Sequence, residues 1–61
     1  MTTNDLEVNE LLVLIGRLHF DVSSLVRSGQ LGSAITAHSY LEEAVRKLGW
    51  RLLKLNDMGK L

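Results

Sequence analysis

The 61-residue chain has no cysteine and no proline. Without cysteine it has neither disulfides nor thiolate metal ligands, two of the usual supports of a very small domain. Without proline no ring breaks a helix from within, and Gly49 is the interruption within the second helical pattern. Charge of one sign is also missing: seven acidic residues balance seven basic ones. That balance argues against a nucleic-acid coat or a polybasic membrane anchor, which need a positive excess. Asp5, Glu7 and Glu10 stand where a secretory signal would be positively charged, so a cytoplasmic protein is expected. The longest apolar run, Leu11 to Ile15, is far short of the ~20 residues that span a bilayer, so no membrane role is expected. Aromatic residues are scarce, with one Phe, one Tyr and one Trp.

Hydrophobic residues are plentiful, at 46%, and their spacing is helical. Val8, Leu11, Ile15, Leu18, Val22 and Leu25 alternate by three and four, the a/d pattern of a heptad. Asn4 is a suitable N-cap, with Glu7 three residues on completing a capping-box pattern. Gly29 suits the position just past a helix end. A second pattern follows through Leu31, Ala34, His38, Leu41, Val45, Leu48, Leu52 and Leu55, with Ser33 as the expected cap. The run Leu11 to Ile15 would also suit a strand, but no second strand pattern exists to pair with it.

The sequence therefore predicts one all-α domain over residues 1–61. Helix 1 is expected over about 5–28, a turn at 29–32 and helix 2 over about 33–55, folded as an antiparallel hairpin. A turn centred near residue 30 sets Val22 against His38, Ile15 against Val45 and Leu11 against Leu48. It also lays the acidic start, Asp5, Glu7 and Glu10, along the basic residues Arg46, Lys47, Arg51 and Lys54. Two helices alone leave their flanks open, and here Leu12, Leu14, Val26 and Ile35 make those flanks apolar. Dimerisation into a four-helix bundle is the expected remedy. Its interface would comprise Val8, Leu11, Leu12, Leu14, Ile15, Leu18, Val22, Leu25, Val26, Ile35, His38, Leu41, Val45, Leu48 and Leu52.

Gly29 and Gly32 match the G-x-x-G of a nucleic-acid clamp, but Gln30 and Leu31 replace the basic residues such a loop carries. The pair is read as a turn. Ser, His and Asp residues occur without the elbow, oxyanion hole or pocket of a hydrolase, so no enzyme and no cofactor are expected. His19, His38 and Glu42 are the candidate metal set, ranked below a register-setting role for His38. A pH response centred on His38 belongs to the same minor reading. Leu6, Val13, Phe20, Tyr40, Trp50 and Leu53 lie off the a/d seam; such residues mark either a broader oligomer core or the contacts for a larger protein partner, and they are the candidate partner contacts. The leading expectation is a non-enzymatic adaptor, inhibitor or regulator. The alternative is a nucleic-acid-binding hairpin dimer using Arg46, Lys47, Arg51 and Lys54.

Overall fold

A computed structural model of the chain describes residues 5–59. It contains two helices, α1 (Leu6–Arg27) and α2 (Leu31–Asp57), packed against each other as a hairpin. The Cα trace measures 44 × 17 × 13 Å, an elongated shape in which the two helices, side by side, share two broad faces and turn their backs outward.

The start of α1 is set by Asp5. Its backbone is extended, and its carboxylate accepts a hydrogen bond from the Val8 amide at 2.9 Å. This cap lies one residue later than the Asn4 expectation, and Asn4 is outside the described residues. With Asp5 as cap, Glu7 falls one position short of the capping-box site and its side chain is used elsewhere.

The turn is tighter than expected. Gly29 adopts φ +77, the left-handed region that a side chain disfavours. Its amide donates to the Val26 carbonyl at 3.1 Å, and the Gln30 amide donates to the Leu25 carbonyl at 2.9 Å. These two bonds form a Schellman closure, which satisfies carbonyls that the end of α1 would leave open. The Ser28 hydroxyl adds bonds to the Ser24 and Leu25 carbonyls. Gly32 and Ser33 are not part of the turn. Helix α2 already begins at Leu31, Gln30 precedes it without a side-chain cap, and Ser33 lies inside the helix. A Schellman closure completes the reversal within residues 28–30, so the chain can resume helical geometry two residues sooner. At the far end Gly59 also adopts a left-handed backbone, φ +68, and its amide donates to the Asn56 carbonyl at 3.0 Å.

Helix α1 buries the predicted stripe. Val8 and Leu11 are buried, and Ile15, Leu18, Val22 and Leu25 are half-buried. Helix α2 does not use the predicted stripe throughout. Ala34 and Leu55 are buried and Leu41, Leu48 and Leu52 half-buried, as the heptad reading has it. His38, Val45 and Leu31 are exposed, while Ala44 is buried to 2% exposure and Ala37 is half-buried. The column Ala34, Leu41, Leu48, Leu55 therefore pairs with Ala37, Ala44 and Arg51 rather than with Leu31, His38 and Val45. The stripe is turned by about 50°, half the 100° step between helical residues. Volume explains the choice. Alanine lets the backbone of α2 come close to the leucines of α1, whereas His38 would bring a polar ring and Val45 a branched side chain into the same gap.

Candidate interaction surface

The clearest tertiary polar contact lies at the open end of the hairpin. The Arg51 guanidinium donates to both carboxylate oxygens of Asp5, Nη2 to Oδ2 at 2.7 Å and Nε to Oδ1 at 3.4 Å. Arg51 Nε also lies 3.3 Å from Glu7 Oε2. Asp5 thus serves two purposes, capping α1 through Val8 and holding α2 through Arg51. The Arg51 hydrogen bond, then the Val8 amide, hold the Asp5 carboxyl below its ordinary value, and burial opposes them. The same hydrogen bond raises Arg51 further above its usual range. Part of the expected acid-to-base alignment is present here, but among the described residues Glu10, Arg46 and Lys54 join no ion pair.

This pairing redistributes the candidate nucleic-acid residues. Arg51 turns inward to Asp5 and Glu7, and Lys47 lies 3.5 Å from Glu43 on its own helix. Lys47 and Lys54 share one column of α2, while Arg46 stands a full helical step away, so the four do not form one basic face.

The candidate metal set is not assembled. His38 Nδ1 lies 3.1 Å from Glu42 Oε1, one turn on along α2. His19 lines a different depression, with Gly16, Phe20, Ser23, Ser24 and Arg27. Among the described residues no three metal-ligating side chains come together. Nor does His38 set register inside the seam, because it is exposed and bonded to its own helix.

The expected interface residues divide between seam, faces and edges. One broad face carries a groove of about 470 Å³ lined by Val22, Val26, Leu31, Ala34, Ile35, His38, Ser39 and Glu42. By helical period Leu12 continues the Val26 column and Val45 the Leu31 column, so both extend this face. The opposite face holds a smaller groove of about 240 Å³ lined by Leu11, Leu14, Leu18, Tyr40, Glu43, Ala44 and Lys47. Asp21, Ser33 and Thr36 continue it toward the turn. Leu14 and Tyr40 are therefore separated from Leu12, Val26 and Ile35. The remaining partner candidates are mostly on the helix backs. Leu6, Val13 and Phe20, seven residues apart, form the outer column of α1, Trp50 projects from the outer side of α2, and Leu53, five turns from Ile35, stands at the angle of Ile35. Phe20 and Trp50 are each 70% exposed.

The seam positions of Ala37 and Ala44 and the Asp5 cap are the features that sequence reasoning missed, whereas the Asp5–Arg51 pair belongs to the alignment it expected. A signal for the first was present: Ala34, Ala37 and Ala44 recur at helical spacing. No helix among the described residues is long and apolar enough to cross a membrane. In comparisons with known proteins no family model matches the chain, and no curated protein or solved structure is significantly similar to it.

Proposed function

We propose that this chain is a small non-enzymatic interaction protein, an adaptor, inhibitor or regulator. It assembles with itself into a four-helix bundle and presents helix surfaces to a larger protein partner in the cytoplasm. The observation that carries this reading is the exposure of Phe20 and Trp50, both on helix backs and away from the seam. Large aromatic side chains on an open helix surface supply contact area at a small entropic cost and anchor protein interfaces more often than most residue types. Leu6 and Val13 beside Phe20, and Leu53 beside Trp50, extend each anchor into an apolar strip. The ionisable groups with resolved shifts, Asp5 and Arg51, are spent on each other in tying the hairpin together.

The test is affinity capture with the tagged full chain in its native host, comparing wild type with Phe20→Ala and Trp50→Ala. Helicity by circular dichroism and oligomer mass by light scattering are measured on all three. The expected result is loss of the captured partner in at least one variant with helicity and mass unchanged. Unfolding of Trp50→Ala would place Trp50 in a core, and undiminished capture by both variants would remove them as anchors.

A further inference from the structure

We infer that the broad face formed by Leu12, Val26, Leu31, Ile35 and Val45 is the self-association face, and that its occupant is the same face of a second copy of this chain. The inference rests on the proposed bundle and specifies which of the two broad faces forms it.

Three observations converge. The first is area. One broad face has Cα extents of 44 and 17 Å, a footprint of about 750 Å² before side chains are added, close to the ~800 Å² that each partner buries in a standard stable interface.

The second is the state of the core. Among the described residues no large side chain is fully buried, and two of the five core residues are alanines. A hairpin in that condition needs its covering whenever it folds. A second copy is the occupant present wherever the chain itself is present. An occasional partner does not meet that requirement.

The third is charge. The five residues that define this face are all aliphatic and at least half exposed. Its acid, Glu42, lies 3.1 Å from His38 of the same helix, and exposed His19 stands between Leu12 and Val26 in their column. The opposite face carries Asp21, Glu43 and Lys47 around its grooves, groups that would lose water on association. Two copies can therefore join their apolar faces and leave both charged faces, and the helix backs with Phe20 and Trp50, in solvent.

The experiment uses the full chain. Sedimentation equilibrium is run on wild type, Ile35→Glu on the apolar face and Leu14→Glu on the charged face. A carboxylate in the apolar interface should weaken association at least about 100-fold, while Leu14→Glu leaves it within about threefold. Val45→Cys and Tyr40→Cys, each the sole thiol, are then alkylated at concentrations below and above the association midpoint. Slower labelling of Val45→Cys on association, with Tyr40→Cys unchanged, supports the inference even where Ile35→Glu unfolds the chain. A dimer that protects Tyr40→Cys and not Val45→Cys overturns the face assignment and leaves the bundle standing. A folded wild-type monomer at every concentration overturns both.

Discussion

Two residues carry more of the hairpin than their neighbours. Asp5 joins the start of α1 to the end of α2, and Gly29 reverses the chain between them. Because Arg51 holds the Asp5 carboxyl below its ordinary value of 3.8, the unfolded chain binds that proton more readily than the folded one. The stability from this contact is therefore fully present above the unfolded value and is lost as pH falls through the folded one. The thermal midpoint of wild type should drop in a step below about pH 4 that Asp5→Asn lacks, while Asp5→Asn keeps a cap acceptor for Val8. Asp5→Ala, which loses both contacts, should melt below Asp5→Asn at neutral pH. Thermal melts of the three chains across the acid range decide it. The two glycines of the sequence pair Gly29 and Gly32 should behave oppositely. Gly29→Ala forces a side chain into φ +77 and should cost about 1–2 kcal/mol. Gly32 sits inside α2, where an added Cβ meets no atom within 4 Å, so Gly32→Ala should be neutral or gain up to about 1 kcal/mol. Urea denaturation reads both, and equal effects would contradict the closed turn at residues 28–30.

At the scale of the helices the decisive feature is the alanine column of α2. Ala44 is 2% exposed, so a larger side chain there must push the helices apart. Ala44→Leu should destabilise the hairpin by about 1–3 kcal/mol through overpacking, although leucine is nearly as good a helix former as alanine. Arg46→Leu, on an exposed column of the same helix, should stay within about 0.5 kcal/mol. Denaturant midpoints of the two variants test the seam directly, because a seam through Val45 would put position 44 on an open flank and make the first substitution harmless. The seam also orders the surfaces. Turning α2 by half a residue step moves His38 and Val45 out of the gap and onto the broad face beside Leu31 and Ile35.

At the scale of the whole molecule the hairpin has one aliphatic face, one charged face and two aromatic-bearing backs. The proposed self-association through the aliphatic face would link folding to concentration. The thermal midpoint should rise with protein concentration, as it does whenever a partner binds only the folded state. It should respond little to added salt, since the joined surfaces carry few charges, whereas association through Glu43, Lys47 and Asp21 would be strongly screened. Melts over a hundredfold concentration range, repeated at low and high salt, separate these outcomes.

Much of this fold is legible in the sequence, because its determinants are local. Helix existence follows from three-four spacing, the reversal from a glycine past the last apolar residue, and the α1 stripe from a single unambiguous column set, Val8 to Leu25. The same local logic selected Phe20 and Trp50 as off-seam residues, and the structure leaves both exposed. For α2 the sequence offers two columns beside Ala34, Leu41, Leu48 and Leu55, one of His38 and Val45 and one of Ala37 and Ala44. Hydrophobicity favours the first. Only the gap between the helices selects the second, since a gap filled by the leucines of α1 admits methyl groups and excludes branched or polar ones. The Asp5–Arg51 clamp likewise depends on where the turn places residues 46 positions apart. Period and turn chemistry thus determined that the chain folds back on itself. Close packing across the seam decided which side chains it buries and which it leaves exposed.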